Sequence, residues 1–535
     1  MGELLREQAR LHGGTDLLHF EDEAFTFAEV NALANRYAHS FLRIGVEPGD
    51  KVCTLMSNCP DQVFWWMGLA KLAAVHAPVN NEFRGSALVH LVESTDATVL
   101  FLDHAFAERL GQVADRLTKL TSIVFCAPGS WTPPTELTRF KLIRHEDFLA
   151  SDESDVFRPA SPGDPLMLLF TSGTTGPAKA VEISHNYALH SASERIWHIG
   201  LTPSDVLYSP YPLYHGAAPL CVFLPSLLLG TTAVLAPRFR ASTFWDEMRR
   251  HGVTFFDFMG AVLVILFKQE PKANDADNPV RITVGIPAPG IWKEFEERFA
   301  VKVMELYGSM ECCEVAWDSL DEPHRVGACG RVCEHHDVRI FDDQDVEMPQ
   351  GEVGQIVVRA HEPFSQMSGY YGNPEATVEA CRNLWFHTGD NGYFDEDGWL
   401  HFVDRKKDAI RRRGKNISSF EVEDAINAHP DVLESAAIGV PSEFTEEEVK
   451  VVVVPRHDSQ LTIDEVVQFA RNEMARYMVP RFVELVDELP KTTTGKANKN
   501  VLRAQWKNIS TWDSEGGAFL SALAAQVVHK EEDDG

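Results

Sequence analysis

Leu169-Phe170-Thr171-Ser172-Gly173-Thr174-Thr175-Gly176-Pro177-Ala178-Lys179 decides the reading of this chain. The apolar run Pro165 to Phe170 reads as a buried strand, and Val181-Glu182-Ile183-Ser184-His185 resumes a strand-like alternation. Between them lies a loop of glycines and small hydroxylated residues. Glycines let a backbone approach a ligand closely and turn its N–H groups inward. Ser172, Thr174 and Thr175 add hydroxyl donors and Lys179 adds a charge, which together make a cradle for a polyphosphate. A Walker-type loop does not fit: Ala178 stands where its second glycine belongs, Ala180 where its magnesium-binding hydroxyl belongs, and Pro177 removes a donor. An ordinary Gly/Ser/Thr hairpin loop is the plain alternative.

The chain has 535 residues, too many for one compact core, so at least two domains are expected. Its composition, 44% hydrophobic and 24% charged, is that of a globular protein. A net charge of −30, from 49 basic and 79 acidic residues, argues against nucleic acid as a partner. Nine cysteines at this length do not suggest a disulfide scaffold. The pairs Cys312/Cys313 and Cys329/Cys333 lack the Cys-x-x-Cys unit of a zinc site. Met1 to Leu11 carries four charges and no signal-peptide core, so a reducing cytoplasm is expected. Pro219 to Pro237 is apolar, but Pro225 and Gly230-Thr231-Thr232 break it into a buried helix and a buried strand rather than a membrane span.

Residues 1–24 read as a polar lead-in. A helix is expected from about Thr26, its N-cap, to Leu42, and another opens at Asn58-Cys59-Pro60. Strands at Lys51-Val52, Ala74 to Asn80, Thr98 to Phe101 and Ser122 to Phe125 alternate with helices, which implies a doubly wound, largely parallel sheet. The fold class is therefore α/β: a large N-terminal multi-sheet domain, followed at 408–507 by a compact α+β domain with a strong strand at Val449 to Val454. The end, Lys530 to Gly535, has the composition of a disordered acidic tail.

The phosphate-loop stretch resembles the signature of the adenylate-forming superfamily: acyl- and aryl-CoA synthetases, luciferases and peptide-synthetase adenylation domains. The resemblance runs from about Phe25 to Arg503 through several further segments in the family's order. It implies that Thr171 to Gly176 and Lys179 hold ATP phosphates. In Tyr211-Pro212-Leu213-Tyr214-His215, His215 would stand at the carboxylate entrance. Phe255 to Ala261 would open the acyl-pocket helix, with Phe256, Phe258 and Gly260 in the pocket. Val284-Gly285-Ile286-Pro287-Ala288 resembles the adenine loop, with Gly285 and Ile286 toward the acid and Ala288 toward adenine; Ile286 and Pro287 replace two glycines.

In Leu306-Tyr307-Gly308-Ser309-Met310-Glu311, the resemblance puts Tyr307 and Gly308 at adenine and Glu311 on magnesium. The family's α-phosphate threonine is replaced by Met310, which would line the acyl pocket. Asp390 would accept the ribose hydroxyls, as a carboxylate with two oxygens can, and Arg405 would touch ribose. Lys407 would be the hinge, Gly414 would line the pantetheine tunnel, and Lys496 would stabilise charge at the α-phosphate. The implied organisation is an adenylation domain over 1–404, a hinge over 405–408 and a mobile domain over 409–535.

The resemblance implies an ATP-dependent carboxylate–CoA ligase working through an acyl-adenylate, with ATP, Mg2+ and coenzyme A as cofactors and an apolar, bulky carboxylic acid as substrate. Catalysis would be positioning and electrostatics, without an enzyme nucleophile. Arg413-Gly414-Lys415-Asn416-Ile417-Ser418 is similar to the carnitine/crotonobetaine–CoA ligase-like branch. An enzyme that loads a carrier protein, a luciferase-like oxygenase and a catalytically dead binding protein remain as alternatives. No nucleic acid and no membrane span are expected, and a homodimer is left open.

Overall fold

The computed structural model describes the whole chain except residues 172–177, 260–261, 287, 289, 323, 326, 406–407, 413–414, 443–446, 458, 475, 493–495, 509 and 521–535, and except the side chains of 415 and 416. Ser172, Gly173, Thr174, Thr175, Gly176, Gly260, Lys407, Gly414 and the acidic tail thus lie outside the described residues. Internal contacts divide the chain into two units: 1–325 with 329–338 and 358–386, and 326–328 with 339–357 and 387–535.

The first unit contains two large sheets. Five strands of the seven-stranded sheet, Lys141–Arg144, Ser122–Cys126, Val99–Asp103, Lys51–Leu55 and Val75–Pro78, are parallel. Pro165–Phe170 continues that direction, and Ala180–Ser184 returns antiparallel to it at the edge. The phosphate-loop stretch is therefore the connection of a β-hairpin at a sheet edge. The nine-stranded sheet has a parallel centre that includes Val206–Ser209, Phe255–Met259, Ile282–Ile286 and Lys302–Ser309. Cys313–Trp317 then folds back antiparallel on Lys302–Ser309. The strands are short apolar runs because both faces are covered, which is the pattern of a doubly wound sheet.

Local chemistry sets the helix starts. Phe27–Arg43 is capped by Thr26, which accepts from the Glu29 amide, while the Glu29 carboxylate accepts from the Thr26 amide in a capping box. Pro60 opens Pro60–Lys71, ten of whose residues are buried. The lead-in is not unstructured: Gly2–His12 is a helix, and Asp16–Phe20 and Glu23–Thr26 form strands of the nine-stranded sheet. Leu5, Leu17 and Leu18 are fully buried, an apolar pattern hidden by the charges around it. Pro219 to Pro237 divides as expected into helical turns over Pro219–Phe223 and Leu224–Leu229 and the strand Thr232–Leu235. Among the described residues no helix is long and apolar enough to cross a membrane.

The second unit carries a five-stranded sheet whose longest members are Val432–Pro441 and Glu447–Pro455, covered by Ser419–Asn427 and Ile463–Glu473. The hairpin Phe386–Phe394 with Leu400–Arg405 turns at Asp395, whose carboxylate accepts from the Asp397 and Trp399 amides. None of the nine cysteines is in a disulfide.

Candidate functional site

In the first unit the neck of the phosphate-loop hairpin is closed by two bonds. The Thr171 amide donates to the Lys179 carbonyl at 3.0 Å, and the Lys179 amide donates to Thr171 Oγ1 at 3.2 Å. Lys179 extends its ammonium over the Tyr370 ring, 4.6 Å from the centroid. The Tyr370 hydroxyl donates to Glu311 Oε1 at 3.0 Å. One tyrosine thus carries a cation on its face and a carboxylate at its tip. The cation–π contact is worth about 0.5–2 kcal/mol, and it holds the ammonium beside the loop instead of free in water. Burial, with Glu311 adding to it, pushes the Tyr370 phenol well above its ordinary value, so the hydroxyl remains a donor at any working pH.

Glu311 is fixed from three sides. Its carbonyl accepts from the Met367 amide at 2.9 Å, its amide donates to Ser309 Oγ at 3.2 Å, and its carboxylate accepts from Tyr370. Tyr307 is buried on the same strand, opposite Ala316. A Cβ on Gly308 would lie 2.4 Å from the Cys313 carbonyl oxygen, so the hairpin can close this tightly only on a glycine.

His215 accepts from the Ala217 amide through Nδ1 at 3.2 Å, which leaves Nε2 to carry the ring proton in the neutral form. A Cβ on the next residue, Gly216, would lie 2.4 Å from Met310 Cε. Met310 therefore lays its thioether against Gly216, where the family's threonine would be too short to reach. Ile286 closes strand Ile282–Ile286 half-buried, opposite Met259, and Ala288 is half-buried against the aromatic core.

One expectation is corrected. Phe255–Met259 is a strand rather than a helix start, and Phe256 and Phe258 are fully buried in the core; Phe256 packs edge-on to Phe244 at 4.9 Å. Gly285 has a structural cause besides any ligand: a Cβ there would lie 1.9 Å from the Phe258 carbonyl oxygen of the neighbouring strand.

In the second unit, Asp390 and Arg405 are register partners across the hairpin, with Oδ1 and Nε 3.7 Å apart. Lys496 faces both. Although the lysine is exposed by area, protein crowded around its ammonium, with Arg405 adding repulsion and Asp390 opposing, lowers it to about 8. The two residues expected at ribose are thus paired across the hairpin, and both charges act on Lys496, far along the chain.

Sequence reasoning missed Tyr370 and a buried cluster of Arg195, Asp257 and Glu314. Tyr370 carries no legible signal beyond its bracketing glycines. Asp257 does: a carboxylate inside Phe255-Phe256-Asp257-Phe258-Met259 must find a partner once the strand is buried.

Before any relative is considered, the geometry offers a hairpin at a sheet edge with a lysine and a glutamate meeting on one tyrosine and, in the second unit, a carboxylate–arginine pair. Residues 5–371 match the family model for the AMP-binding enzyme, and residues 421–496 match the AMP-binding enzyme C-terminal domain. A crotonobetaine/carnitine–CoA ligase from Salmonella typhimurium is 30% identical over 506 residues, covering 92% of this chain and 97% of that protein. ATP-bound MatB from Rhodopseudomonas palustris aligns with a TM-score of 0.82 at 25% identity, covering 95% of this chain and 99% of that one. The o-succinylbenzoate CoA synthetase of Bacillus subtilis, solved with its acyl-adenylate intermediate, shares the fold: TM-score 0.80, 24% identity, 94% and 98% coverage. The chain belongs to the AMP-binding enzyme family, and it is an acid–thiol ligase of the AMP-forming kind.

Proposed function

We propose that this protein joins an apolar carboxylic acid to coenzyme A in two steps, through an acyl-adenylate. The convergence of Lys179 and Glu311 on Tyr370 carries the reading, because it sets one cation and one anion beside the loop expected to hold ATP phosphates. Among the described residues no group of three or more His, Cys, Asp or Glu is arranged for a metal. Magnesium keeps several waters and takes one or two carboxylates plus substrate phosphates. Bound there, Mg2+ would neutralise phosphate charge as a Lewis acid. Glu311 would supply its protein oxygen, oriented by Tyr370, while Lys179 would face phosphate oxygens directly. Asp390 would accept the ribose hydroxyls with Arg405 beside it. Lys496 would offset the charge that grows on the α-phosphate as the carboxylate attacks, and His215 would border the acid. Coenzyme A thiol would then displace AMP.

The small domain from about 409, turning at a hinge over 405–408 with Lys407 and Gly414 in their expected roles, belongs to this proposal, as does a cytoplasmic location. The acid is the least constrained part. With Phe256 and Phe258 in the core, an apolar lining rests on Ile286 and Met310. The curated relative acts on crotonobetaine and carnitine, so small quaternary-ammonium acids belong beside bulky apolar ones in a pyrophosphate-release screen. The test of the reaction is thioester formation from the best acid, ATP and free coenzyme A. Pyrophosphate exchange without thioester would favour a carrier-protein acceptor; neither product with any acid would reject the ligase.

A further inference from the structure

Helix His185–Ile199 stacks Tyr187, Ser191 and Arg195 four residues apart along one stripe. All three are buried, at 2%, 2% and 1% exposure, and all three act on the turn that follows Lys302–Ser309 or on the start of the strand Cys313–Trp317 into which it leads. The Tyr187 hydroxyl donates to the Met310 carbonyl at 3.1 Å. Ser191 Oγ donates to Glu314 Oε2 at 3.1 Å, and Arg195 Nη1 to Glu314 Oε1 at 2.9 Å. The other arm of the guanidinium closes on Asp257. The thiols of Cys313 and Cys221 also point at Glu314, at 2.9 Å and 3.5 Å.

This is much polar machinery to bury. A buried ion pair is a poor source of stability, because desolvation cancels most of the attraction. Its better attested use is to fix one arrangement among several. The turn it grips needs fixing: Cys313 is held at φ +66°, a left-handed conformation that costs a non-glycine residue roughly 1–3 kcal/mol. Glu311 lies between the two gripped points, Met310 and Glu314.

We propose that Tyr187, Ser191 and Arg195 are positioning residues for magnesium–nucleotide binding: they lock the Met310–Glu314 turn so that the Glu311 carboxylate meets the ion bridging the phosphates. This rests on the reading of Glu311 given above. None of the three touches nucleotide; they act through the turn.

The test is calorimetric binding of ATP to the full-length protein, once with magnesium chloride and once with EDTA, for Tyr187→Phe, Ser191→Ala and Glu311→Gln. Glu194→Gln is the control, a buried change on the same helix but on the stripe facing His335 and Cys333. Tyr187→Phe and Ser191→Ala should each weaken magnesium–ATP roughly three- to tenfold, the size of one hydrogen bond, and move metal-free ATP by less than about twofold. In the Glu311→Gln background Tyr187→Phe should add nothing. Glu194→Gln should leave the ratio of the two affinities alone, whatever it does to stability. Equal weakening of both forms of ATP would overturn the proposal, since the stripe would then serve the fold alone. So would an unchanged magnesium–ATP affinity in both stripe variants while Glu311→Gln is impaired. If Glu311→Gln binds magnesium–ATP normally, the role of Glu311 fails first and the positioning role falls with it.

Discussion

Gly216→Ala tests whether Met310 is packed where the structure puts it. The new Cβ would stand 2.4 Å from Met310 Cε, 3.3 Å from its sulfur and 3.6 Å from Leu220 Cδ1. Gly216 is absent from the residues with positive φ, so alanine fits the backbone and only the contact matters. Carbon atoms settle about 3.5–4 Å apart, so the thioether tip must withdraw by roughly 1–1.5 Å. Methionine has three rotatable bonds and can do this, at about 0.5–1.5 kcal/mol for an off-rotamer side chain and more if the surrounding core is tight. Replacing glycine restricts the unfolded chain and returns about 0.4–1 kcal/mol. The expected net loss is thus small, about 1 kcal/mol, and its signature is coupling: in a Met310→Ala background the same substitution should be neutral or stabilising. Urea unfolding across the four-member cycle reads this directly. Distant sites add within about 0.3–0.5 kcal/mol, so additivity within that margin would refute the packing, and with it the explanation of why a methionine stands where the family has a threonine.

Two further outcomes follow from named contacts. Gly285→Ala should cost about 3 kcal/mol or more in urea unfolding, because the obstacle at 1.9 Å is a neighbouring strand's carbonyl, which cannot step aside like a side chain; a loss under about 1 kcal/mol would show that these strands are not so closely joined. Lys496 is lowered to about 8, so its cationic form holds below that pH and is lost above it; pyrophosphate exchange with the best acid should therefore fall as pH rises through about 8, and Lys496→Ala should suppress exchange and flatten that limb while still converting supplied acyl-AMP and coenzyme A to thioester.

Elements and their order were legible because they follow from periodicity and punctuation. Apolar runs such as Val99–Asp103 and caps such as Thr26 read the same in sequence and structure. Candidate site residues were legible only where a motif bundles them, as at Tyr307 to Glu311. They were illegible where function depends on meetings across the chain. Tyr370 reaches Glu311 from 59 positions away, and Ser191 reaches Glu314 from 123; no local pattern encodes either pairing. Phe256 and Phe258 show another limit: aromatic residues in a family segment invite a pocket role, but their strand buries four consecutive residues, Phe256 and Phe258 among them. The lead-in fails similarly, since its few apolar residues are diluted by charge and become a pattern only against the partner strand at Thr232–Leu235.

A chain with a net charge of −30 that must bind a polyanion faces a problem that composition states and only structure resolves. Long-range attraction is of the wrong sign, and at physiological salt it is screened beyond about 8 Å. The cations that matter must therefore be close to the ligand and already positioned. Lys179 is laid on the Tyr370 ring, which spares it part of the entropy of ordering a long side chain on binding. Lys496 is crowded together with Arg405, which raises the energy of its charge before any phosphate arrives. A phosphate oxygen at Lys496 would relieve desolvation and repulsion already present in the protein. The transition state carries more charge at the reacting phosphate than the ground state, so relief of this kind favours it over bound substrate. Composition and local structure thus answer each other: where the overall charge repels a polyanion, a cation placed in advance by its own neighbours, as Lys179 is by Tyr370, is what a phosphate can meet.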